Sequence, residues 1–260
     1  MKEKKLLILI LIFLAAALLC LLCVKPLYYV YRELEYHLGQ PTRAEQIVHN
    51  YAEEKGVSYG RYPKDLITLL DRNPETEEFV LGYLFRQEQS KDISRYSRED
   101  VPLFLQWDPA WGYEEYGSSY LAVTGCGPTC LAMVGYYLTG DSNMMPDQVA
   151  SFSEKNGYYE NGYGSSWTLI SEGSVQLGLI AKELPLVKKK LVDALQAGNP
   201  VILAMGEGDF TTTGHYIVLT GVENDAFRVN DPNSRLRSEK LWTYEELEGQ
   251  IRNIWAIGVD

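Results

Sequence analysis

An unbroken apolar run from Leu6 to Val24 opens the chain and constrains it more than any other feature. At about 1.5 Å of rise per residue, such a run makes a helix roughly 28 Å long, close to the hydrocarbon thickness of a bilayer. A secretory signal has a shorter apolar core, about 7 to 15 residues, and ends in a small-residue cleavage site. Here the run ends Leu-Leu-Cys-Val-Lys-Pro, without such a site. Leucine precedes both Cys20 and Cys23, where a lipid-modified cysteine requires a small neighbour. The run therefore reads as a retained single-pass anchor. Lys2, Lys4 and Lys5 ahead of it favour a cytoplasmic N-terminus, which puts everything after Lys25 outside the cytoplasm. Cys20 and Cys23 read as small apolar residues within the run.

The whole chain is acidic, and its net charge of −11 argues against nucleic acid, whose phosphates call for basic patches. It argues equally against docking on anionic lipid through a basic surface. Four cysteines in 260 residues exclude a disulfide scaffold.

Three stretches follow from the patterning: an anchor over 1–26, a helical stalk or lead-in over 27–95, and a larger domain over 96–260. In the second, Leu66, Leu69 and Leu70 recur at helical spacing, and Asn73-Pro74 breaks that helix and opens another. Phe79, Leu81, Leu84 and Phe85 suit a packed face of that second helix. His37 and His49 lack a neighbouring cysteine or acidic cluster at ligand spacing, so they read as solvated helix surface.

In the third stretch Val101–Leu105 reads as a short strand, followed by a Gly- and aromatic-rich loop from Trp107 to Ser119. Thr124-Gly125-Cys126-Gly127-Pro128-Thr129-Cys130 then leads into a buried helix, with Pro128 in its first turn. Pro146–Asn156, Ser166–Leu177 and Lys188–Ala197 read as further helices, the last closed by Gly198. From Pro200 the chain turns to β, with strands at Pro200–Met205, His215–Val222, Ala226–Asn230 and Asn253–Val259. Helices followed by strands make an α+β pattern.

Chemistry concentrates at Cys126 and His215. A helix start carries partial positive charge, which favours a thiolate, the reactive form of cysteine. Gly125 and Gly127 let the backbone bend and a substrate approach. Of the three histidines, only His215 follows Cys126. At a strand start, it can face a cleft as the base that accepts the thiol proton and returns it to a leaving amine. If the strands flanking Asn224-Asp225 pair, Asp231 returns near His215 and could orient its ring, a role for which Asn230 competes. Alternation allows only one of the two. The Gln106 amide is a candidate oxyanion donor. Cys130, one turn further along, reads as core packing, and Cys126, Cys130 and His215 together lack a fourth zinc ligand. Tyr158, Tyr159, Tyr163 and Trp167 suit either a substrate groove or a packed loop.

Gln106-Trp107, Thr124–Cys130, Gly214-His215-Tyr216-Ile217-Val218-Leu219 and Asn230-Asp231-Pro232 together resemble the C39-like cysteine peptidase family of papain-type folds. The resemblance covers roughly 101–260. It implies N-terminal helices, with the nucleophile helix packed on an antiparallel sheet. It also implies Cys126 as nucleophile, His215 as general base and acid, Asp231 as orienting residue and Gln106 as oxyanion-hole glutamine. The Gln106–Cys126 interval is longer than in the compact family pattern. The chain has no ATP-binding segment, so it resembles a stand-alone, membrane-anchored branch. On this reading the partners are a peptide or protein substrate and, through the N-terminal helix, the membrane, with no cofactor or metal. Two rivals remain: a cell-wall peptide amidase with the same Cys-His-Asp chemistry, and a catalytically silent peptide-binding module.

Overall fold

Asn224 and Asp225 both adopt positive φ, 51° and 63°, the backbone of a tight two-residue hairpin turn. That hairpin lies within the main sheet of the computed structural model, which describes residues 24–87, 96–162 and 164–260. Strands Ile180–Glu183 (β1), Val201–Met205 (β2), His215–Glu223 (β3), Ala226–Asn230 (β4), Leu241–Trp242 (β5) and Ile251–Gly258 (β6) form an antiparallel sheet. Their order is β1-β6-β2-β3-β4-β5.

Both faces of this sheet are covered, which is why its central strands read as continuous apolar runs rather than alternating ones. Ile202, Ala204, Tyr216, Val218, Trp255 and Ile257 pack with Leu131, Met133 and Val134 of the helix Cys126–Thr139. On the opposite face Val201, Leu203, Ile217 and Leu219 pack with Leu191 of the helix Lys188–Gln196 and with Leu247. Gly198, with φ of 82°, follows that helix as a left-handed closing residue. The α+β architecture with a nucleophile-candidate helix against an antiparallel sheet is as expected.

Packing divides the chain into two units. One comprises Met1–Pro74 with Val80–Leu84, and the other Glu75–Phe79 with Phe85–Asp260. In the first, residues 24–38 are helical (α1). Arg43–Glu54 (α2) follows, opened by a capping box between Thr42 and Glu45. The helix Lys64–Arg72 buries Leu66, Ile67, Leu69 and Leu70. Arg32, only 2% exposed, donates to Tyr59 Oη at 3.1 Å and to the Tyr62 carbonyl.

Several expectations need correction. Val101–Leu105 is not a strand. Pro102 has no N–H to offer a ladder, and the facing segment contains Pro232. The segment is held instead by Gln106 N–H on the Pro232 carbonyl at 2.8 Å and by the Asn230 amide on the Val101 carbonyl at 2.9 Å. Phe85 is 45% exposed, because the second helix ends at Gly82 and a tighter 3₁₀ turn rotates Phe85 off its face. Ser166–Leu177 is not one regular α-helix: Leu169–Gly173 forms a π-helical turn before a short α-turn at Ser174–Gln176. Among the described residues no helix is long and apolar enough to cross a membrane. The anchor expected over Leu6–Val24 lies, apart from Val24, outside the described residues, as do Cys20, Cys23 and Tyr163.

Candidate active site

Cys126 is the first residue of its helix and half-buried, while Cys130 one turn on is fully buried. Burial, followed by the Cys126 and Asp231 charges, pushes the Cys130 thiol well up, which leaves it an inert core residue. Gly127 is required by a close approach: a Cβ there would stand 2.7 Å from both Cβ and Oγ of Ser165. Ser165 belongs to a buried cluster behind the helix start. Its Oγ bonds Tyr116 Oη at 2.7 Å, Tyr116 Oη bonds Ser153 Oγ at 2.8 Å, and Tyr216 Oη donates to the Ser165 carbonyl at 3.2 Å.

The hairpin register decides between Asp231 and Asn230. Pairing starts at the turn with Glu223 opposite Ala226, Val222 opposite Phe227 and Gly221 opposite Arg228. Thr220 is then bulged out, and the ladder resumes with Leu219 opposite Val229 and Val218 opposite Asn230. Continued by one residue, this places Asp231 across from Ile217, on the same side of the sheet as His215. Without the extra residue Asp231 would fall across from Val218, on the other side. Asp231 is the residue on the ring: its Oδ1 lies 2.8 Å from His215 Nε2. Asn230 turns to the other face and bonds Val101.

Asp231 is wholly buried and fully engaged. Its Oδ1 also accepts from Asn233 N–H at 2.7 Å, and its Oδ2 accepts from Arg237 Nε–H at 2.5 Å. Its own N–H donates to Ser238 Oγ at 2.9 Å. Burial works against ionisation, but the His215 and Arg237 charges outweigh it and hold the carboxyl below its ordinary range. The same balance acts on His215, which is 8% exposed. Burial disfavours its charge, yet Asp231 first and Cys126 second push it up to about 10. Cys126 contributes to that rise and lines the same cavity as the ring; with Nε2 on Asp231, the nitrogen left to face it is Nδ1.

The three residues therefore converge. Cys126 and His215 line a cavity of about 580 Å³ together with Trp167, Glu160, Glu207 and Arg252. Among the described residues of the aromatic stretch, only Trp167 lines it; Tyr158 is a packed core residue. Gln106 is buried and does not line the cavity. It donates from Nε2 to the carbonyl of Ala122, four residues before Cys126, at 2.7 Å. Its Oε1 has no partner among the described residues.

Sequence reasoning missed Arg237 and Glu75. Glu75 accepts from Ser234 Oγ and from the Arg235 N–H at 2.8 Å, capping the helix Arg235–Glu239 that presents Arg237 to Asp231. Neither stands in a motif, and only the fold brings Glu75 to a helix start 160 positions away. Among the described residues the one group of metal-ligand types lies in the helical unit, at Glu33, His37 and His49.

Comparison with known proteins gives a match over residues 98–258 to the model of the Peptidase_C39 like family. No curated protein matches the chain. Among solved structures, the chain is similar to the peptidase domain of Streptococcus ComA, a bi-functional ABC transporter involved in quorum sensing. That match has 21% identity, 53% of this chain and 93% of that one, and a TM-score of 0.41. A double glycine motif protease from an AMS/PCAT transporter, in complex with the leader peptide, matches at 20% identity over 65% and 97% of the chains, with a TM-score of 0.38. A C39-like peptidase from Bacillus anthracis matches at 17% identity over 60% and 94%, with a TM-score of 0.35.

Proposed function

Because this chain belongs to the Peptidase_C39 like family and is thereby a cysteine peptidase, we propose that Cys126, His215, Asp231 and Gln106 carry its chemistry and that a thioester is its intermediate. The observation that carries this reading is the His215 ring, bonded through Nε2 to buried Asp231 and sharing the wall of one open cavity with Cys126.

Cys126 sulfur attacks the carbonyl carbon of a peptide bond. Negative charge gathers on the carbonyl oxygen, which accepts from backbone N–H at the helix start and from the Gln106 amide. Gln106 uses one N–H to hold the Ala122 carbonyl; its second N–H is the donor we assign to the oxyanion, although the residue is buried outside the cavity lining. The C–N bond then breaks. His215 gives its proton to the departing amine, and the acyl group stays on sulfur as a thioester. Water attacks that carbonyl, His215 takes the water's proton, and the C–S bond breaks to release the acid and restore the starting pair. Asp231 keeps the ring in place and stabilises its charge throughout.

We also propose that residues 6–24 anchor the protein in a membrane with the peptidase domain outside the cytoplasm, on the strength of the apolar run and its preceding lysines. A thiol-directed electrophile tests the catalytic reading. Cys126 should be labelled at least about a hundredfold faster than buried Cys130, Cys126→Ala should abolish peptide hydrolysis, and His215→Ala should slow Cys126 labelling. Equal, slow labelling of both thiols would overturn it in favour of a silent peptide-binding module.

A further inference from the structure

Two histidines first read as solvated surface are gathered with an acid by the fold. Glu33 and His37 stand four apart on α1, a spacing that puts both on one helix face. His49 arrives from α2. One ligand-type atom from each of the three lies within 4.8 Å of the others. Along the chain these residues form no cluster. A single i, i+4 pair completed by a neighbouring helix suffices.

We propose that Glu33, His37 and His49 form a binding site for a divalent zinc ion, which would fasten α1 to α2. Two imidazoles and one carboxylate are the donor set of an open zinc site, with water completing the tetrahedron. Zinc held at about 2.0–2.2 Å by each ligand needs donor atoms roughly 3.3–3.6 Å apart, so no pair has to close by more than about 1.5 Å.

Two of the ligands are already oriented. Glu33 Oε1 accepts from Ser58 Oγ at 2.8 Å, which leaves Oε2, 3.7 Å from His49 Nε2, for the metal. The His49 ring lies flat on Tyr36, with centroids 4.0 Å apart and planes within 4°. Outer partners of this kind fix the ligands of metal sites elsewhere. Glu33 and His49 are half-buried and His37 is exposed, so the fourth position opens to solvent. The rival is an ordinary His49–Glu33 ion pair, which gives His37 no role.

The test uses the full chain without a histidine tag, its thiols blocked with iodoacetamide so that cysteine cannot bind the probe. Co²⁺ should bind in one equivalent with the intense visible absorption of a tetrahedral site, and Zn²⁺ should displace it. His37→Ala alters only an exposed side chain, so the fold is retained, and it should weaken binding at least about tenfold, as should His49→Ala. Ser58→Ala should weaken it by a smaller factor. Zn²⁺ should raise the melting temperature of the parent chain and leave that of His37→Ala unmoved. Absence of stoichiometric binding, or binding indifferent to His37→Ala, would overturn the proposal and leave an ion pair only.

Discussion

Replacing Asp231 with asparagine keeps the size and shape of the residue but removes the charge on which the proposed mechanism leans. His215 is raised from 6.5 to about 10, which corresponds to about 5 kcal/mol of preference for the imidazolium. Burial opposes that rise, and of the two residues that produce it Asp231 stands ahead of Cys126. Asp231→Asn therefore leaves burial with a much weaker opponent, and the ring's midpoint should fall by roughly two pH units or more. The departing amine needs the ring proton, so the alkaline limb of kcat/KM should follow. It should lie near pH 10 in the parent and move down with the variant's midpoint. Beyond that midpoint, activity falls about tenfold per pH unit. Peptide hydrolysis from about pH 5 to about pH 11 reads the limb. NMR of ¹³Cε1-labelled histidine reads the ring directly, with His37→Ala and His49→Ala assigning the other two signals. Stability should respond as well. The raised His215 stabilises the fold fully below pH 6.5 and progressively less as pH rises toward 10. The lowered Asp231 stabilises it above pH 3.8 and loses that effect as pH falls further. As far as this pair is concerned, the urea midpoint should peak between about pH 4 and 6.5 and decline on either side, and Asp231→Asn should flatten the curve. A parent His215 titrating near 6.5, or an alkaline limb unmoved in the variant, would refute the reasoning.

Three other perturbations probe the site from different directions. Gln106→Ala should lower kcat by about 10²–10³ and leave KM within a few-fold, as loss of a transition-state donor does; a change confined to KM would make Gln106 a support for the Ala122 turn alone. Deleting Thr220 removes the bulge and moves Asp231 to the other side of the sheet, so hydrolysis should fall more than about a hundredfold while the circular dichroism of the sheet persists. Retained activity in that deletion would show that the bulge does not set the Asp231–His215 contact. Gly127→Ala drives a methyl into Ser165 and should cost about 1–3 kcal/mol in urea melts, with Ser165→Gly in the same chain recovering a good part of it; absence of recovery would place the strain elsewhere.

The features legible from residue types alone are those whose cause is local. The Cys126 helix, the strands around Asn224-Asp225 and the closure at Gly198 follow from apolar runs bounded by residues that suit caps and tight turns. What escaped is set by partners distant in the chain. Val101–Leu105 has the composition of a strand, but whether it joins a ladder depends on what faces it, and the segment opposite carries Pro232. Ile180–Glu183 is the reverse case, an edge strand mostly exposed, whose pairing with β6 leaves no apolar signature. The choice between Asp231 and Asn230 lay beyond pattern for a sharper reason. Asn230 ends β4 and Asp231 follows it, so parity alone separates them. Parity depends on whether one residue of β3 is skipped, and neither Thr220 nor its neighbours announce a bulge. The glycine after it, Gly221, is of a type that often marks a bulge, but it does not say which neighbour is skipped or whether the register shifts. A hairpin whose turn is readable to the residue can thus have a functional end that is not. One unpaired residue between turn and site determines which of two adjacent polar side chains meets the histidine. In this protein that step delivers a carboxylate, already held by Arg237, to His215, and sends an amide to brace the segment leading to Gln106.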